Sequence, residues 1–355
     1  MGRPWIKHLL KYLFGLAVLA WVVHANWDPA PGKPGPGLKE ALHSKIHYQS
    51  LIVAVLLVAP AITLTFIRWY LLARALELPF TPRQTTRLCL FGYFFNTLLP
   101  GAIGGDLVKA GALIRSQERK TAAIASIIFD RAIGLVGLIL IVVLSGGLYL
   151  WLGHPSAEAE PTLWYVFRSA TIAAVATGVG WILLGYLPAW RAERFGRRLE
   201  KLPIIGHMGA EAWRALWLYT KRPKAVAIAV AMTLLCHVFN VLAYDRCASV
   251  FAPNRDELPT LGDHAVLVPV GITIKALFPA PGGVGGAEFS FGKMYELIGK
   301  PAALGVLMSL AFLLVTWILA ACAFISAQFI PKDPVESNGE EINVDQPQRE
   351  ICEPS

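Results

Sequence analysis

The sequence predicts an all-α polytopic membrane protein, with six full transmembrane helices and two re-entrant helical hairpins arranged as an inverted repeat, both termini cytoplasmic. Three observations carry this reading. Hydrophobic residues make up 55% of the 355 and charged residues only 16%, against roughly 25% charged in a soluble domain. Uncharged apolar runs lie at residues 132–157, 169–190, 225–244 and 301–331, each reaching the roughly 20 residues that a helix needs to cross hydrocarbon. Finally, Pro100-Gly101-Ala102-Ile103-Gly104-Gly105-Asp106 returns in the other half of the chain as Pro281-Gly282-Gly283-Val284-Gly285-Gly286-Ala287-Glu288. Pro and Gly break helices, and freed backbone groups need partners in hydrocarbon, so a repeated break of this kind marks two interrupted helices.

In chain order, Arg3, Lys7 and Lys11 precede an apolar stretch ending Val23-His24-Ala25, which is expected to stay as a first helix rather than be cleaved as a signal peptide. This basic N-terminus and a loop over 68–87 with Arg68, Arg74, Arg83 and Arg87 are placed in the cytoplasm, so residues 26–50 between them lie outside. The first Pro-Gly element has basic flanks on both sides, Arg83 and Arg87 before it and Arg115, Arg119 and Lys120 after it. It is therefore expected to enter from the cytoplasm, turn at Pro100-Gly101, and return. A span from about residue 121 exits to 153–160, which holds no Lys or Arg, and a span over 163–187 returns to nine basic residues within 191–224. A span over 225–250 then leads to an outer loop with Asp256, Glu257 and Asp263, so the second element opens outward; the last span, 301–330, ends in an acidic tail. Two full spans in place of the hairpins would put the nine-residue basic loop outside, against the positive-inside rule.

One transmembrane domain is thus expected over 1–330, its halves at about 1–160 and 161–330, followed by a disordered polar cytoplasmic tail at 331–355. The segment 190–224 alternates basic residues with Phe195, Leu199, Trp213, Leu216 and Trp217, as an amphipathic helix on an anionic membrane surface would. Trp27, Trp151, Trp164 and Trp190 near span ends fit aromatic belts. The net charge of +8 sits in a few short loops, so it reports topology and lipid contact, and no nucleic-acid partner is expected. Five cysteines without a Cys-x-x-Cys pair read as packing thiols, and His43-x-x-x-His47 as a surface pair. No nucleophile and base set, P-loop or metal cluster is visible, so no catalytic residue, metal or cofactor is expected.

The chemistry concentrates at the two breaks. A helix restarting after Pro100-Gly101, or after Pro281-Gly282-Gly283, presents free N–H groups and a positive dipole end that favour an anion such as a phosphate. Gly101, Gly104 and Gly105, with Gly285 and Gly286 in the second copy, admit a headgroup or another helix, and Lys109 and Lys275 add positive charge. The bland alternative is close packing of helices through small residues. Asp106 and Glu288 follow the glycines in the first helical turn, where each caps the helix, pairs with a cation or carries a coupling proton. Asp130-Arg131 and Asp245-Arg246 place further charge in apolar surroundings, either as functional groups or as structural ion pairs. His237, alone in a span, is expected to hydrogen-bond to a neighbouring helix.

Phe95-Asn96-Thr97-Leu98-Leu99 running into the first element and on to Lys109-Ala110, then Phe129-Asp130-Arg131-Ala132-Ile133-Gly134-Leu135, then the second element, resemble the flippase-like family. This is the transmembrane region of lysylphosphatidylglycerol synthases and its stand-alone relatives, and the resemblance covers roughly residues 5 to 330. It implies a bacterial inner-membrane protein that moves an anionic phospholipid or a lipid-linked headgroup between leaflets, with Asn96 among the motif residues. The cytoplasmic synthase domain is expected to be absent, and with it the synthase activity. The acid of the second motif stands one residue later than that of the first, so Asp106 and Glu288 need not share a role. Two other readings stay open: a membrane transferase or hydrolase acting on a polyprenyl-phosphate or phospholipid, and a non-catalytic partner of a lipid-modifying enzyme.

Overall fold

A computed structural model describes residues 4–29, 35–99, 104–116, 120–151, 161–203, 206–252 and 255–331. Among these residues the fold is all-α, without strands: α1 (Pro4–Ala25), α2 (Leu38–His43), α3 (Tyr48–Ala75), α4 (Pro82–Leu98), α5 (Gly104–Ser116), α6 (Lys120–Trp151), α7 (Pro161–Tyr186), α8 (Ala189–Glu200), α9 (Gly206–Thr220), α10 (Pro223–Ala248), α11 (Leu261–Leu277), α12 (Gly286–Leu297) and α13 (Ala302–Gln328). Five of these, α3, α6, α7, α10 and α13, are long and apolar enough to cross a membrane. The other expected span, α1, is a 22-residue helix in which Leu10–Ala25 is apolar. On α7, Ile172, Val175, Val179, Ile182 and Leu183 are all exposed; a helix that is apolar and uncovered in this way needs lipid as its solvent. The expected tail lies outside the described residues beyond Pro331.

The sequence expectation of a four-arginine loop over 68–87 is corrected. Arg68 and Arg74 belong to α3, and Arg83 and Arg87 to α4, leaving 76–81 as the connection. The boundary has local causes. Arg74 sits in the last turn of α3, where a cation meets the negative end of the dipole, and Thr81 caps α4 by accepting from the Gln84 N–H at 3.1 Å, with Pro82 at the first helical position. The expected amphipathic segment at 190–224 is two helices, α8 and α9, packed on one another. Trp213 donates to the Ala192 carbonyl at 2.9 Å and Trp217 to the Leu187 carbonyl at 3.1 Å, so the tryptophans fasten α9 under the α7–α8 corner. Trp190 is half exposed, with the Arg191 and Arg194 guanidinium groups 4.8 and 5.1 Å from its ring.

Two apolar cores are strung along the long pair α3 and α10. One gathers Trp69, Leu72, Phe80, Leu88, Phe129 and Tyr219, with Phe129 stacked on Tyr219 at 3.8 Å between ring centroids. The other gathers Tyr244, Phe291, Tyr295, Leu304, Met308 and Phe312, with Tyr244 stacked on Phe312 at 3.8 Å. The first core carries the pair α4 and α5, the second the pair α11 and α12. Each pair is two short helices that pack antiparallel against each other across a break in the chain, and α13 packs along both α4 and α12.

Candidate functional site: the two interrupted helix pairs

The first pair is closed by glycine. A Cβ on Gly105 would stand 1.8 Å from the Gly92 carbonyl oxygen, so only hydrogen at that position lets α5 lie on α4 so closely. At the break, Asn96 of α4 accepts from the Gly105 N–H at 2.8 Å, satisfying one of the orphan donors of the restarting helix. Pro100 and Gly101, the predicted turn, lie outside the described residues. One helical turn on, Asp106 is bonded to Arg131 of α6, its side chain 16% exposed against 46% for the arginine. Lys109 reaches back over the ring of Trp69 at 4.8 Å, beside the buried Cys89 thiol.

The second pair turns through Pro281-Gly282-Gly283-Val284-Gly285, with positive φ at Gly282, Gly283 and Gly285, a backbone that side chains with a Cβ rarely adopt. Gly285 is the cap of α12, and its N–H donates to the Glu288 carboxylate at 2.6 Å. The other Glu288 oxygen accepts from the Ser309 hydroxyl of α13 at 3.0 Å, and the side chain is almost fully buried. Of the three tasks open to this acid, capping the helix is the one its geometry fits, while Asp106 pairs with a cation. Both acids stand at the third residue of their described helix, α5 and α12, yet they face different partners. Asn96 and Glu288 therefore already engage part of the N–H set that was expected to face an anion.

Lys275, on the last turn of α11, lies against the turn; its ammonium is 5.4 Å from the Phe312 ring centroid and makes no hydrogen bond or ion pair. The Glu288 carboxylate acts on it electrostatically without closing a salt bridge, so the ammonium keeps its hydrogen-bonding capacity for an anion. The two breaks also meet. A Cβ on Gly282 would stand 3.3 Å from the Thr97 carbonyl oxygen of α4. From α1, Tyr12 donates to the Leu98 carbonyl at 2.9 Å, and Gly15 lies against Ala280 and the Val284 carbonyl. The first helix thus touches both tips.

The family described as the lysylphosphatidylglycerol synthase transmembrane region matches residues 9–323. The chain belongs to this family. Compared with curated proteins and with solved structures, it has no match. It is a multi-pass membrane protein of a family tied by its name to lipid modification, and the matched part is the synthases' membrane region.

In this member of the family, Asp130 turns away from its neighbour Arg131 and takes a fork-like pair of bonds from Arg68, at 2.8 and 3.0 Å, with the Arg68 and Asp130 side chains 8% and 15% exposed. Arg68 also donates to Thr233 of α10 at 2.8 Å, so one cation joins α3, α6 and α10. Asp245 does pair with Arg246, at 2.7 Å, but also with Arg255 at 2.6 Å and His264 at 3.2 Å. From His264 the chain of contacts runs to the Tyr295 hydroxyl at 2.7 Å and on to the Met308 sulfur at 3.0 Å. It ties the ends of α10, α11, α12 and α13 together. Asp263, expected in an outer loop, is the third helical residue of α11 in a capping box with Thr260, with bonds of 2.8 and 3.2 Å. His237 is buried against α6, next to Gly137 and facing the Gly134 backbone, the neighbouring helix to which it was expected to bond, though neither ring nitrogen reaches ordinary hydrogen-bond geometry. The cysteines Cys89, Cys236, Cys247 and Cys322 are free thiols, and no group of three or more metal-ligating side chains occurs among the described residues.

Sequence reasoning missed Arg68, Thr233, His264, Tyr295 and Ser309. Arg68 did carry a signal, since it interrupts an apolar run that continues to Leu72. The others are ordinary helix residues whose role exists only after the helices pack.

Proposed function

We propose that this chain is a lipid transporter that moves a phospholipid or a lipid-linked headgroup between the leaflets of the bacterial inner membrane by alternating access around the two interrupted helix pairs. In this reading each pair is a re-entrant hairpin, the first opening to the cytoplasm and the second to the exterior, and both termini are cytoplasmic. The observation that carries it is the meeting of the two breaks, Gly282 against the Thr97 backbone, with the Lys275 side chain at the second turn, in the field of the Glu288 carboxylate but not in a salt bridge with it. A midplane cation between two broken helices is the arrangement that holds an anionic headgroup in transporters of repeated halves. Lys109 supplies the matching charge on the first pair. The Asp106–Arg131 and Arg68–Asp130 pairs, which link α5, α6 and α3, are the contacts whose exchange gates the movement.

The test is translocation of a fluorescent phospholipid by purified protein in liposomes. Lys275→Gln and Asp106→Asn are expected to stop it while leaving thermal unfolding in detergent unchanged, and wild-type rates from both variants would overturn the assignment. Product formation from a polyprenyl-phosphate or phospholipid in detergent, where leaflets no longer exist, would favour an enzyme instead.

A further inference from the structure

A cleft of about 530 Å³ runs along the face of α12 that looks toward α1. It starts at the buried carboxylate of Glu288 and reaches Glu296, roughly 12 Å along the helix at 1.5 Å per residue. Its flank is apolar: Trp21 of α1 and Phe289 of α12 lie 5.8 Å apart between ring centroids and are 58% and 46% exposed. Its rim is charged, with two lysines and two carboxylates.

The rim charges are not mutually satisfied. Lys293 and Glu296 form a pair at 2.9 Å. Lys300, by contrast, spends its ammonium on the neutral carbonyl of Asp256 at 2.7 Å, and Asp28 makes no side-chain hydrogen bond or ion pair. Asp28 and Lys300 line the same cleft without forming a salt bridge to each other. A ligand carrying one negative and one positive group fits between them. A purely anionic headgroup would face Asp28 unpaired, and a purely cationic one would face Lys300. The exposed Trp21 and Phe289 beside this rim add an apolar wall of the kind an acyl chain covers.

We propose that this cleft binds a phospholipid with a zwitterionic headgroup, its phosphate at Lys300, its ammonium at Asp28, and an acyl chain along Trp21 and Phe289. The proposal rests on the lipid reading above and narrows it to a headgroup class, at a site apart from Lys109 and Lys275. Its occupant is a lipid rather than a soluble zwitterion because the apolar wall is as much a part of the cleft as the charges.

Native mass spectrometry of the full chain in detergent, titrated with phosphatidylethanolamine, phosphatidylglycerol, a trimethylammonium lipid and free phosphoethanolamine, tests this. Phosphatidylethanolamine is expected to be retained best. Asp28→Asn and Lys300→Gln are each expected to weaken it about tenfold, the effect of one charge-assisted hydrogen bond, and Asp28→Asn shifts preference toward phosphatidylglycerol. Both positions are at the surface, so unchanged thermal unfolding is expected and checks the fold. Equal retention of all three lipids, retention of phosphoethanolamine as strong as that of the lipid, or an unchanged preference in both variants would overturn the proposal. Intact lipid preference in a protein that fails to translocate lipid in liposomes would count against the transport reading and leave this site standing.

Discussion

At the scale of single residues, Arg68 shows how tertiary partners decide what a charge does. Its guanidinium is held by Asp130 and Thr233 where three helices meet, and its side chain is only 8% exposed. Taking two charges out of water is unfavourable, so removing one partner of such a pair leaves the other stranded at about 3–5 kcal/mol. Arg68→Ala and Asp130→Ala are each expected to lower stability by about that amount, and Arg68→Met with Asp130→Leu to restore much of it. Thermal unfolding of the four proteins in one detergent checks this; single variants that melt like the wild type would contradict it. The sequence made Asp130 visible as an acid in apolar surroundings, but its neighbour Arg131 looked like the natural partner. On a helix, adjacent residues point about 100° apart, so Asp130 and Arg131 reach different helices. Asp106 and Glu288 carry the same lesson. Both were legible as first-turn acids, yet only the packing of α6 against α5 and of α13 against α12 separates an ion pair from a buried cap.

At the scale of elements, the two helix pairs depend on close approach. Gly105 has no room for a methyl group against the Gly92 carbonyl, whereas Gly147 and Gly178, on α6 and α7, have nothing within 4 Å. Gly105→Ala is therefore expected to force α4 and α5 apart and to destabilise by about 1–3 kcal/mol, while Gly147→Ala and Gly178→Ala stay near neutral. Fluorescence-detected size exclusion after a heat step separates these outcomes, and equal melting of all three would contradict them. The doubled Pro-Gly element made both breaks readable from sequence alone, because helix breakers in hydrocarbon are rare and a repeated one is rarer. Helix ends were less readable. Arg68 and Arg74 looked like loop residues under a rule that counts cations between spans, and only burial and the Thr81 cap show that α3 and α4 run further. Of the Asp245–His264–Tyr295 chain only Asp245 had a sequence signal, as a charge in apolar surroundings; its partners are 19 and 31 residues apart along the chain of contacts and meet it only when α10, α11 and α12 pack.

At the scale of the whole molecule, the described residues form two cores and two broken helix pairs along a long α3–α10 axis. The outward apolar face of α7 requires a lipid surround, and the basic α8–α9 pair lies at one end of it. The proposed opposite orientation of the two pairs rests on charge counting in the connections, and on it in turn rests the proposal of two half-sites reached from opposite leaflets. Labelling of single cysteines by a membrane-impermeant maleimide on intact cells tests that orientation most directly, in a background without the native cysteines. Thr86→Cys, exposed near the start of α4, and Leu261→Cys, exposed at the start of α11, mark the open ends of the two pairs. The account predicts that Leu261→Cys is labelled from outside and that Thr86→Cys is labelled only after the membrane is permeabilised; labelling of both positions from the same side would contradict it.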